Sequence, residues 1–189
     1  VRALITRPGN RIRVWTIPWF AAKLFEEAAF QGAPGDAEAM LREPGARNLL
    51  EPEGRQTFSR IAAALHYRRP QDIRAVVDDC KRFDDLSAEA RRTCFVALIV
   101  LGRLDDAFRL ADRFYPDQRG ATLQARELRS GFAIPPAYLS VREAAPLRAD
   151  ARYRDVVERI GLLNYWKSSH HAPDFCMTER APVCALLNS

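Results

Sequence analysis

The sequence predicts an all-α protein, a right-handed stack of antiparallel helix pairs closed by a C-terminal capping helix. Three observations carry that prediction. Apolar residues recur at helical spacing in six segments, and no strand-like alternation runs long enough to compete. Proline, glycine and capping side chains fall near the ends of those segments. A shift of 34 residues lays one pair of segments over the next.

Pro18 suits the first turn of a helix that carries Phe20, Leu24 and Ala28 and ends at Gly32. Asp36 is the expected cap of a short helix through Leu41, which stops before Pro44. Pro52 opens the next helix, where Phe58, Ile61, Ala62 and Leu65 stand at i, i+3, i+4 and i+7. Ile73, Val76, Val77 and Cys80 repeat that spacing. Ser87 caps a helix through Leu101, and its run from Cys94 to Leu101 is apolar on every side, so this helix is expected at the centre. Leu104, Ala107, Phe108, Ala111 and Phe114 line the following one. Asp150 is the expected cap of a helix with Tyr153, Val156, Val157 and Ile160, ended by Gly161. Leu147 and then Leu162, Tyr165 and Trp166 extend its apolar side into the exit, which would close the open end of a stack. The domain reading that follows is a linker over 1–17, a helical domain over 18–175 and a tail over 176–189.

Composition agrees with a folded domain. Hydrophobic residues make up 48% of the 189 and charged residues 28%, which excludes a collagen, a wholly disordered chain and a coiled-coil rod. The longest unbroken apolar run, Cys94 to Leu101, is far shorter than the ~20 residues a membrane span needs. The net charge of +5 is spread among acids, as in Asp78-Asp79-Cys80-Lys81-Arg82, so it reads as a mixed solvated surface and not as a nucleic-acid footprint. Arg2, Arg7, Arg11 and Arg13 stand without an acid before Glu26, which fits a linker or juxtamembrane stretch. The chain begins with Val, as expected of a piece of a longer protein.

At the 34-residue offset, Arg69 falls on Arg103, Asp72 on Asp106, Val76 on Leu110 and Asp78 on Asp112. Upstream, Ile61 falls on Phe95, Ala63 on Ala97 and Leu65 on Ile99. That is the period of a tetratricopeptide repeat. Leu-Gly-Arg-Leu-Asp-Asp-Ala (101–107) resembles its inter-helix turn, with Gly102 at the bend and Ala107 where paired helices approach. Arg91 stands where that family prefers Trp, and Pro116 comes three residues early.

Four cysteines, Cys80, Cys94, Cys176 and Cys184, allow three pairings, and none has zinc-finger spacing. In a helix-pair stack, Cys80 and Cys94 lie on consecutive helices at core-facing positions, with axes ~8–10 Å apart. The sequential pairing, Cys80–Cys94 and Cys176–Cys184, is the one this geometry favours; the alternative for the first pair is two small buried apolar groups. A Cys176–Cys184 bond would pin the end of the chain. Oxidised pairs would place the protein in an oxidising compartment.

The segment from Ala107 to Cys176 carries a further resemblance. It contains Leu-Arg-Ala-Asp-Ala-Arg-Tyr (147–153), Gly-Leu-Leu-Asn-Tyr-Trp (161–166) and Pro-Asp-Phe-Cys (173–176). This is similar to the C-terminal tail of bacterial tetratricopeptide-repeat proteins, with Ala151 for the usual Pro and Tyr153 for the usual Phe. The tail recurs in CadC-like membrane-anchored winged-helix transcriptional regulators and in some class III adenylate cyclases. The resemblance implies a periplasmic sensory or protein-interaction domain. It carries over no activity, because no winged helix, cyclase motif or membrane helix is read in these residues.

No residue set spells out catalysis. His170 and His171 stand near Asp174, Cys176 and Cys184, but adjacent histidines share one metal poorly, so a solvated loop is the reading. His66 has no triad partner at suitable spacing. Asp105 and Asp106 sit in a first helical turn, where the helix dipole explains them. Gly-Ala-Pro-Gly (32–35) lacks the Lys-Ser/Thr of a phosphate loop. Trp15, Trp19 and Phe20 are surplus aromatics that either cap the first helix pair or form a partner patch. The expectation is a non-catalytic module without cofactor or metal that binds a protein or peptide, makes no direct nucleic-acid contact and works in the periplasm. The alternatives are a cytosolic adaptor or scaffold, and the regulatory tail of an enzyme such as a nucleotide cyclase.

Overall fold

Among the described residues, helix follows helix. The computed structural model describes residues 18–43, 52–115 and 136–187. Among the described residues there is no strand. The α-helices are α1 (Pro18–Phe30), α2 (Pro34–Arg42), α3 (Pro52–Tyr67), α4 (Pro70–Lys81), α5 (Ala88–Val100), α6 (Leu104–Phe114), α7 (Ala145–Arg148), α8 (Tyr153–Arg159), α9 (Leu162–Ser169) and α10 (Pro182–Ala185). Short 3₁₀ turns lie at Phe83–Asp85, Pro136–Leu139, Arg142–Ala144 and Asp174–Met177. The chain divides into two compact units, 1–97 and 98–189.

In the first unit, α1 packs on α2, α2 on α3 and α3 on α4, with α1 also touching α3. Phe25 and Phe58 meet edge to face, 4.8 Å between centroids, at the centre of this layer. Phe58, Ile61, Ala62 and Leu65 are all buried, as their i, i+3, i+4, i+7 spacing requires. Ser87 caps α5 as expected, its Oγ accepting from Ala90 N at 3.2 Å. Every residue from Thr93 to Ile99 is buried, which matches the apolar run. Arg91 is buried too, and its Nη2 donates to the Asp84 carbonyl at 3.2 Å. A long cation is thus buried with its head group satisfied. Glu26 and Thr93 join α1 to α5 by a buried hydrogen bond, Thr93 Oγ1 donating to Glu26 Oε1 at 2.8 Å.

In the second unit, α6 buries Ala107, Phe108, Leu110, Ala111 and Phe114 along one stripe. α8 runs beside it in the same direction. Arg152 reaches Asp105 at 2.8 Å and Arg159 reaches Asp112 at 2.7 Å, one pair at each end. The Arg152 guanidinium also lies over the Phe108 ring, 4.2 Å from its centroid. α9 and α10 both pack on α8.

Two expected helix starts fall elsewhere. α2 starts at Pro34, so Asp36 lies inside its first turn, and Ala33 is the cap residue without a side-chain bond. Proline's fixed φ at N1 fixes the start two residues before the acid. Asp150 caps an Asx turn, accepting from Arg152 N at 2.9 Å, and α8 begins only at Tyr153. Gly161, at φ 82°, stands just past the end of α8 as expected, and α9 follows it directly. Tyr165 of α9 is exposed, where an apolar inner position was expected.

Candidate functional site

The two helix junctions share a left-handed residue and an arginine–aspartate pair. Arg68 ends α3 in the left-handed region, φ 54°, and Gly102 does the same after α5, φ 73°. Pro70 and Leu104, which open the following helices, lie 34 residues apart, as do Arg68 and Gly102. The cap residue after each left-handed turn is an arginine that pairs with an aspartate three residues on. Arg69 Nε donates to Asp72 Oδ2 at 2.6 Å, and Arg103 Nε donates to Asp106 Oδ2 at 3.0 Å. Asp106 also accepts from Arg109, and only 6% of its side chain is exposed. Burial pushes the Asp106 carboxyl up, but the hydrogen bonds from Arg109 and Arg103 outweigh it and hold the group below its ordinary value. Its first-turn position therefore serves a charge network as well as the helix dipole.

The cysteines are all bonded, Cys80 to Cys94 and Cys176 to Cys184, each with 5.6 Å between Cα atoms. The first bond ties α4 to α5 inside the core, where Cys80 is 2% exposed and Cys94 0%. The second joins the Asp174–Met177 turn to α10 at a half-buried position.

That second bond closes a loop over a charged group that the sequence reading passed over. Arg148, 1% exposed, ends α7. Its Nη1 donates to the carbonyls of Leu139 and Val141, both at 2.8 Å. Its Nε donates to Glu179 Oε2 at 2.7 Å, and its Nη2 donates to Oε1 of the same carboxylate. Bidentate geometry of this kind is what the planar guanidinium offers and a lysine does not. The Phe175 ring lies 4.8 Å from the guanidinium, with Tyr153 and Trp166 edge-on to it at 6.3 and 6.1 Å. Glu179 is placed by its own backbone, its N–H donating to the Phe175 carbonyl at 2.7 Å, which puts ring and carboxylate on one side of a single turn. Val183 and Ala181 are buried beneath. The signal for this socket was present in the sequence: Leu147-Arg148 and Pro173-Asp174-Phe175-Cys176 are two pieces of the tail pattern, and the structure brings them together.

The remaining candidates fall apart. His170 and His171 are exposed, and no group of three His, Cys, Asp or Glu side chains among the described residues is arranged to hold a metal ion. The His66 ring stands against Tyr67 at 4.4 Å and beside Gly35, where a β-carbon would meet it at 3.6 Å. Trp15 lies outside the described residues. Trp19 and Phe20 belong to the first turn of α1, and their side chains lie outside the described set.

No family model matches the chain, and neither a curated protein nor a solved structure gives a significant match.

Proposed function

We propose that this chain is a non-catalytic sensory or protein-interaction module of the tetratricopeptide type, the periplasmic C-terminal part of a CadC-like membrane-anchored transcriptional regulator. The observation that carries the reading is the repeated helix junction: left-handed residue, arginine cap and aspartate at the third helical position recur at the same 34-residue offset. Helix pairs repeated in register stack their apolar faces and leave a continuous surface for a protein or peptide partner. Two disulfides fit an oxidising compartment. No described helix is long and apolar enough to cross a membrane, so an anchor in this reading lies elsewhere in the protein.

Two readouts test it. The coding sequence upstream of residue 1 is expected to contain a membrane-spanning segment and, before it, a winged-helix domain; a cyclase domain there would turn the chain into an enzyme's regulatory tail. Non-reducing peptide mapping of the protein from its native cell is expected to find both bonds. Four free thiols would make it a cytosolic scaffold.

A further inference from the structure

We infer that the Cys176–Cys184 bond is a redox-opened latch that holds residues 174–187 as an internal ligand in the Arg148 socket. The inference does not depend on the proposed repeat. Thiol–disulfide exchange requires a thiolate to reach a sulfur atom, so access decides which bond yields. Cys80 and Cys94 are 2% and 0% exposed, whereas Cys176 and Cys184 are half-buried. The two bonds of one chain therefore differ in their openness to a reductant.

What the tail bond secures is specific. The closed loop carries Glu179, the carboxylate that takes two donors of the buried Arg148 guanidinium. The pieces of structure that present it are a four-residue 3₁₀ turn and the four-residue α10. Helical segments that short do not persist on their own, because nucleation costs more than a turn or two returns. Val183 and Ala181 supply the loop's buried apolar anchor, and Phe175 fills the space over the guanidinium. The cross-link thus holds an ion pair whose two halves lie 31 residues apart.

Opening it needs a dithiol. One thiolate of the dithiol attacks a sulfur of the Cys176–Cys184 bond and forms a mixed disulfide, releasing the other cysteine as a thiolate that takes up a proton. The second thiol of the reductant, as its thiolate, then attacks the reductant sulfur of the mixed disulfide and displaces the remaining cysteine as a thiolate that takes up a proton, so the reductant leaves as a disulfide and both cysteines end as thiols. Two electrons pass from the dithiol to the protein. Glu179 and Phe175 are then free to leave, and Arg148, Tyr153 and Trp166 become an uncovered cationic and aromatic site.

The test uses the intact chain under native conditions. Graded dithiothreitol is followed by alkylation and peptide mapping, with amide hydrogen exchange measured on the same samples. Alkylation is expected first at Cys176 and Cys184 while Cys80–Cys94 stays bonded. In that population, protection is expected to be lost over 174–187 and kept over 70–100. Reduction of Cys80–Cys94 first or in step, no reduction short of global unfolding, or full protection of the tail after its bond is cut would each overturn the latch. Glu179→Gln, which keeps both cysteines, is expected to speed reduction of the tail bond and leave that of Cys80–Cys94 unchanged. An unaltered tail rate would separate the ion pair from the latch and end the proposal as stated.

Discussion

At position 68 an arginine holds a backbone conformation that glycine holds at position 102. A β-carbon in the left-handed region costs about 1–2 kcal/mol, and the extra freedom of an unfolded glycine offsets roughly 0.4–1 of that. The net effect is expected to be about 0.5–1 kcal/mol in opposite directions. Arg68→Gly should raise the urea midpoint, and Gly102→Ala should lower it. Nothing stands within 4 Å of the added β-carbon at Gly102, so the backbone alone decides the sign there. At Arg148 burial governs. Glu179→Ala leaves a guanidinium that is 1% exposed with only two carbonyl acceptors, and the loss is expected to be about 2–3 kcal/mol in chemical denaturation. The exposed Lys81–Asp78 pair, although formed at 3.1 Å, is expected to change stability far less when Asp78 is replaced by Asn. Thr93→Val removes the donor to buried Glu26 and should cost about 1 kcal/mol.

Elements in this chain are positioned by punctuation and cross-linked where they meet. Pro18, Pro34, Pro52, Pro70 and Pro182 each stand at the first residue of a helix, where the missing N–H costs nothing. That is why most of the helices were legible: proline and apolar spacing both act within a turn or two of the residue concerned. The failures were competitions between nearby signals. Pro34 overrode Asp36, and Asp150 bonded Arg152 in a turn where a cap was expected. Burial of Cys80 and Cys94 followed from their apolar faces, but whether they bonded depended on how close α4 and α5 come, a tertiary quantity that spacing alone does not contain. The two pieces of the Arg148 socket stand in the sequence, but their meeting did not follow from it for the same reason, since they are joined only by the fold. Removing the cross-links should separate their roles. By the chain-entropy account, a loop of Cys80–Cys94 size stabilises by about 3 kcal/mol and one of Cys176–Cys184 size by about 2.5 kcal/mol. Cys80→Ala with Cys94→Ala is expected to lower the thermal midpoint of the first unit. Cys176→Ala with Cys184→Ala is expected to show itself as early proteolytic cleavage after Phe175, before any change in the far-ultraviolet signal of the main helices.

For the molecule as a whole, the titrating groups define a pH window. Asp106 and Asp150 are held below the ordinary carboxylate value, the second chiefly by its hydrogen bond from Arg152. A depressed folded value means stability that is present above about pH 4 and lost as pH falls through the folded values. Tyr115 and Tyr153 are pushed up by burial, so their contribution is complete below about pH 10 and lost as pH rises beyond it. Thermal midpoints are expected to be level between these limits and to fall on both sides; a decline beginning near pH 7 would contradict the assignment. The match of Arg69 with Arg103 and of Asp72 with Asp106 was visible in the sequence because those side chains serve the helix junctions directly. The measurement that tests the central reading most directly is an experimental structure of the chain in which residues 56–82 are superposed on 90–116. The tetratricopeptide account predicts two helix hairpins that coincide, with their axes crossing in the same sense and Arg68 lying on Gly102. Hairpins that cross in opposite senses would contradict it.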